Sequence, residues 1–133
     1  MQARPHTVAD IMTETVIVLQ HDEAVGENTD DIDRFRLRQL PVLDGDRLVG
    51  LVTHRELLAA VLQRRLGDPA PVVGDIMSRD VVTVRRDTPV AEALTLLIDR
   101  KAGCLLVVDG DGTLAGIVTE YDGVKLACAL LAE

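Results

Sequence analysis

Apolar positions recur along this chain in two spacings that alternate, and the whole alternation occurs twice. Short runs dense in Val, Leu and Ile have the length of buried strands: Val16–Leu19, Gln39–Leu43, Leu48–Thr53, Val81–Val84, Cys104–Val108 and Leu114–Thr119. Between the later runs, Val90, Leu94, Leu97 and Ile98 fall at i, i+4, i+7 and i+8, which predicts one apolar face of a helix. Thr88 is placed to cap that helix and Pro89 to be its first residue. Asp44-Gly45-Asp46 and Asp109-Gly110-Asp111-Gly112 carry hairpin-turn chemistry between strands. Closing helices are predicted over 55–66 and 121–132.

Aligning the two halves shows a duplication. Val8-Ala9-Asp10-Ile11-Met12 is matched by Val73-Gly74-Asp75-Ile76-Met77, and the register runs on through Val16/Val81, Leu40/Leu105 and Gly45/Gly110. One extra residue near Gly112 shifts it, giving Gly50/Gly116 and Thr53/Thr119. Each copy reads strand, helix, strand, strand, helix after a short opening turn. One copy cannot bury both faces of so small a sheet, so two copies are expected to pack as a pseudo-symmetric pair through their sheets. The fold class is therefore α/β of the α+β type. Residues 1–66 form the first repeat, 67–72 a Gly/Pro-rich linker, and 73–133 the second. The first copy has Asn28, Thr29, Asp31 and Asp33 where the second has Ala93, Leu94, Leu96 and Ile98, which predicts a short or frayed helix there.

Composition narrows the function. The chain of 133 residues is 47% hydrophobic with one Phe, one Tyr and no Trp, so its core is aliphatic. A formal net charge of −8 with so few aromatics argues against nucleic-acid binding. No apolar run approaches the ~20 residues of a membrane span. The opening MQARPHTVAD lacks a signal-peptide core, and Cys104 and Cys128 form no paired motif; a cytoplasmic protein with free thiols is expected.

Chemistry concentrates where a strand turns into a helix. Thr53-His54-Arg55-Glu56 and Thr119-Glu120-Tyr121-Asp122 each place a hydroxyl and a carboxylate three residues apart at such a junction. Free backbone N–H groups and the helix dipole suit an anion there, and a carboxylate can accept a sugar diol. The same residues also suit plain helix capping, which stabilises by about 0.5–2 kcal/mol with no ligand. Asp109–Thr113 superficially resembles a calcium loop, but Leu114 stands where that loop needs Gly. His6, His21 and His54 lack metal-ligand spacing, and no nucleophile, phosphate-loop or paired-carboxylate motif occurs, so no catalytic residue and no metal are assigned.

The paired openings, Arg38-Gln39-Leu40-Pro41-Val42 and the repeated Gly-x-x-Thr-x-x-acid junctions together resemble a tandem pair of cystathionine-β-synthase (CBS) domains, a Bateman module, over residues 7–132. The resemblance implies a non-catalytic regulatory module that binds AMP, ADP, ATP or S-adenosylmethionine in a cleft between repeats. It needs no cofactor, forms homodimers and signals to a partner chain. It implies that Thr119 meets phosphate and Asp122 the ribose hydroxyls. Thr53 and Glu56 repeat the arrangement with an acid one methylene longer. Arg38 and Arg55 would then meet the phosphates held at Thr119 and Asp122, since Gly103 and Tyr121 replace them in the second copy. Adenine would lie in an apolar slot near Val81, Val82, Leu105 and Val107, with Val16 as the matched first-copy position. A ligand-free module whose output is dimerisation is the alternative function.

Overall fold

The computed structural model describes residues 5–14, 17–25 and 39–132. In chain order the elements are α1 (Val8–Ile11), β1 (Leu19–Gln20), β2 (Gln39–Asp44), β3 (Arg47–Thr53), α2 (His54–Gln63), α3 (Val73–Ile76), β4 (Thr83–Val84), α4 (Val90–Arg100), β5 (Cys104–Val108), β6 (Leu114–Thr119) and α5 (Glu120–Leu131). They form an α/β fold with two three-stranded sheets, ordered β1-β2-β3 and β4-β5-β6. In each sheet the first pair is parallel and the second antiparallel. A parallel neighbour requires a crossover, and in the second sheet α4 makes it. The antiparallel neighbour needs only a hairpin, closed at Gly45 (φ +67) in one copy and through Gly112 (φ +88) in the other. Both hairpins carry a register shift at the same place, Val42/Leu43 and Val107/Val108, so the duplication extends to irregularities of the ladder.

Packing divides the chain into two units: the described residues of 17–81, and those of 1–16 with 82–133. The opening turn of each sequence copy therefore packs in the unit built on the body of the other copy. In the second unit, α1 is tied by Val8 N–H to Thr88 O (2.8 Å) and Ala9 N–H to Arg86 O (3.0 Å), and Thr13 bridges to Ile117 of β6. In the first unit, α3 is tied by Val73 N–H to Glu23 O and Gly74 N–H to His21 O (both 2.8 Å), and Ser78 bridges to Leu51 of β3. The bridges are close because Gly50 and Gly116 lack side chains. A Cβ at Gly50 would stand 2.5 Å from Met77 Sδ, and one at Gly116 would stand 2.7 Å from Thr13 O.

The cores are aliphatic. Leu19, Val25, Leu40, Val42, Val52 and Val73 form one, and Val8, Val84, Ala93, Leu97, Leu105, Val107 and Val118 the other. Each includes the valine of the opening turn that packs in that unit. Burying a Val or Leu side chain stabilises by about 1.5–3 kcal/mol, so these valines hold the exchanged turns firmly.

The start of α4 differs from expectation. Pro89 is the N-cap and Val90 the first helical residue. The Thr88 hydroxyl instead accepts the Arg85 N–H (3.0 Å), closing the turn before the helix. The free Val90 N–H is met by the carbonyl of His6 (3.1 Å). The strand expected over Val81–Val84 is paired only at Thr83–Val84. The expected frayed helix of the first copy falls on residues 26–38 and lies outside the described residues.

Candidate functional site

At the second junction β6 runs straight into α5. Thr119 is the last strand residue and also the N-cap, because its extended backbone ends the ladder and leaves the first helical N–H groups open. Asp122 closes a capping box. Its Oδ2 accepts the Thr119 N–H (2.8 Å), with the Thr119 hydroxyl at 3.3 Å. Asp122 is 5% exposed, and among the described residues it is the one buried charged side chain. Its Oδ1 takes no part in the cap and faces Lys125 Nζ at 3.9 Å. Lys125 in turn lies over the Tyr121 ring, 5.1 Å from its centroid.

The first junction is built alike. Glu56 Oε2 accepts the Thr53 N–H (2.8 Å) and the Thr53 hydroxyl. The longer side chain folds back to reach the same cap, which is natural for a capping box, where Glu is a usual partner. Partial burial pushes the Glu56 carboxyl upward. The hydrogen bonds from Thr53 outweigh that, assisted by its own backbone N–H and the charge of Arg55, and hold it below its ordinary value. Arg55 is exposed at the second position of α2.

Thr119 with Asp122, and Thr53 with Glu56, are each brought together, in both cases by a cap. Arg38 and Val16 lie outside the described residues. Val81 and Val82 are half-buried, and the Val82 carbonyl accepts the Leu106 N–H (2.9 Å). Leu105 and Val107 are fully buried in the aliphatic core, so neither has a side chain to offer a ligand. Sequence reasoning missed Lys125. The available signal was its i, i+3 spacing from Asp122, which puts the two on one face of a helix. Among the described residues no cluster of His, Cys, Asp or Glu could hold a metal ion, and no helix is long and apolar enough to cross a membrane.

Two repeated units, each containing the same strand-cap-helix junction, agree with the family profile that the chain matches. The profile of the CBS domain fits residues 8–63 and again residues 73–127. The chain belongs to the CBS-domain family. Among curated relatives it is 33% identical, over 117 residues, to inosine-5′-monophosphate dehydrogenase of Methanocaldococcus jannaschii. That match covers 87% of this chain but only 22% of the dehydrogenase, and only its CBS part. Among solved structures, CBSX2 in complex with AMP is 32% identical, covers 95% of this CBS pair and 98% of its own chain, and superposes with a TM-score of 0.79. The CBS domain pair of protein MJ0100, in complex with 5′-methylthioadenosine and S-adenosylmethionine, is 25% identical, with coverage of 92% and 96% and a TM-score of 0.78. CBS pairs are generally regulatory modules, and such pairs include binders of adenosine compounds.

Proposed function

We propose that this CBS pair is a non-catalytic regulatory module that binds an adenosine nucleotide at the Thr119–Asp122 junction and passes the signal to a partner chain. One observation carries the reading: Asp122 is buried, and Oδ2 alone caps the helix, which leaves Oδ1 as an acceptor for a ribose diol. Similarity to a relative holding AMP supports the ligand class. The repeats 1–66 and 73–133, joined by 67–72, act together, with Arg38 and Arg55 as phosphate contacts. Thr53 and Glu56 form a second, weaker site.

Calorimetry with AMP, ADP, ATP and S-adenosylmethionine tests this. Asp122→Asn should weaken nucleotide binding about 10- to 100-fold, as loss of charge-assisted hydrogen bonds of about 1.5–3 kcal/mol implies. Glu56→Gln should leave the tighter site nearly unchanged. Equal weakening in both variants counts against the assignment of the tighter site.

A ligand-free assembly module is the second reading. A complete capping box accounts for Thr119 and Asp122 without any ligand, and the closing helices carry exposed apolar side chains. Leu58 and Leu62 on α2 are 59% and 76% exposed, and Val124 and Leu131 on α5 are 58% and 86% exposed. Apolar positions repeating along one face of a helix suit a second copy of the chain, so we assign homodimerisation to these helices. Sedimentation of wild type against Leu58→Glu/Leu62→Glu reads it out, and a wild type that stays monomeric at high micromolar concentration refutes it. A dimer that takes up no adenosine ligand favours assembly over sensing. The thiol of Cys104 and that of Cys128 are both free, which supports a reducing, cytoplasmic setting.

A further inference from the structure

The hairpins of the two sheets are closed differently. In the first unit Gln20 clasps the turn: its Nε2 donates to Gly45 O (3.0 Å) and its Oε1 accepts the Gly45 N–H (3.1 Å). Beside it His21 Nε2 lies 3.4 Å from Asp44 Oδ1. The offset of 65 residues between the copies puts Arg85 in the place of Gln20, Arg86 in that of His21, Asp109 in that of Asp44 and Gly110 in that of Gly45. Arg86 keeps the ion pair, with Nε 2.9 Å from Asp109 Oδ1. Arg85 cannot keep the clasp, because a guanidinium has only donors and a backbone N–H needs an acceptor. Among the described residues the Gly110 N–H has no acceptor.

We infer that this end of the second unit's sheet binds a small α-amino acid, with its carboxylate on Arg85 and the Gly110 N–H and its ammonium on Asp87. Arg85, Arg86, Asp87, Val108, Asp109 and Gly110 line a cavity of about 280 Å³. Pockets for larger organic ligands span roughly 300–1,000 Å³, so this one suits a molecule smaller than a nucleotide. Charge selects further. Arg86 and Asp109 neutralise each other. Arg85 and Asp87 remain, one of each sign, and among the described residues neither side chain has an ion-pair partner. A simple anion gains from Arg85 and loses to Asp87, whereas a zwitterion meets both with the favourable sign.

The donors are also placed together. Arg85 Nη1 stands 3.3 Å from where a Cβ on Gly110 would be, so the guanidinium lies against the glycine. Two adjacent donors suit the two oxygens of one carboxylate. Half-buried Val108 offers apolar surface to a small side chain. The site is separate from the Thr119–Asp122 junction. β5 and β6 pair Cys104 with Thr119 at one end and Val108 with Leu114 at the other. Four residues of strand, about 13 Å, lie between the two ends. The inference therefore does not depend on the adenosine reading.

The test is a titration of the full chain with L-alanine, acetate and methylammonium at millimolar concentration, followed by backbone amide NMR shifts, for wild type, Arg85→Gln and Asp87→Asn. L-Alanine should move the Gly110 amide of wild type and leave the Thr119 amide in place. Acetate and methylammonium each carry half of the charge pair and should bind at least about tenfold more weakly. Arg85→Gln should abolish the response. It also installs the clasp of the first unit, so its melting temperature should hold or rise. Asp87→Asn should bring L-alanine down to the level of acetate. A Gly110 amide that ignores L-alanine, acetate that binds as tightly as L-alanine, or a response that survives Arg85→Gln overturns the assignment.

Discussion

Gly50→Ala is the perturbation that most directly tests how the exchanged turns are held. An added Cβ meets Met77 Sδ at 2.5 Å, Ser78 O at 2.9 Å and Met77 Cγ at 3.0 Å. The thioether is the flexible part of a long side chain and can move aside cheaply. Ser78 O cannot, because it accepts the Leu51 N–H (2.9 Å) while the Ser78 N–H donates to Leu51 O (2.8 Å). Relieving the clash therefore means loosening this two-bond bridge beside Gly50. Overpacking of this kind costs about 1–3 kcal/mol, and each bridging hydrogen bond contributes about 1 kcal/mol. Reduced freedom of the unfolded chain returns at most about 1 kcal/mol. A net loss of about 2–3 kcal/mol is expected, a large part of the roughly 5–15 kcal/mol typical of a domain. Urea denaturation should show the midpoint falling by about 1–2 M, from a slope of about 1–3 kcal/mol/M. Gly110→Ala is the control. Its nearest neighbour is the Arg85 Nη1 at 3.3 Å, the tip of a flexible side chain, so a change within about 0.5 kcal/mol is expected. An unchanged midpoint in Gly50→Ala refutes the reasoning. So does full rescue by adding Met77→Ala, since the sulfur rather than the carbonyl would then be the obstacle.

Gly123→Ala should stabilise by about 0.5–1 kcal/mol and raise the melting temperature. The position lies inside α5 and the new Cβ meets Leu94 Cδ2 at an ordinary 3.4 Å, so a fall in melting temperature would contradict this. Glu56 has a depressed folded pKa, so its ionised cap stabilises fully above the unfolded carboxyl value and the contribution is lost as pH falls through the folded value. The stability gap between wild type and Glu56→Gln, measured by denaturation across pH, should be present at neutrality and close in acid; a pH-independent gap refutes it. Burial pushes the Cys104 thiol up to about 11, and Cys128 is exposed, so alkylation near pH 8 should label Cys128 first, as peptide mass spectrometry would read, and faster labelling of Cys104 would overturn the burial argument.

Much of the architecture was legible because it depends on local pattern. The i, i+4, i+7 spacing of Val90, Leu94 and Leu97 located α4, and the aliphatic runs located β2, β3, β5 and β6. The repeated order followed from aligning Val73–Met77 with Val8–Met12. Thr119 with Asp122, and Thr53 with Glu56, were found as pairs because a cap is a contact between residues three apart. The cap of α4 was misplaced because the Thr88 hydroxyl had a nearer partner in Arg85, and the helix N-terminus had one in His6, distant in sequence.

The sequence by itself determined the duplication, the aliphatic composition of the cores and the two strand-cap-helix junctions. All three rest on spacings of a few residues or on self-similarity, which a linear text carries. Only the tertiary structure decided that each opening turn packs in the unit built on the other copy, since Val8 and Val73 are equivalent in sequence and their partners are not near them in the chain. It also decided that Leu105 and Val107 belong to the core, and which oxygen of Asp122 caps the helix and which faces Lys125. Side-chain direction and the choice between competing partners depend on every neighbour at once, so no local pattern encodes them.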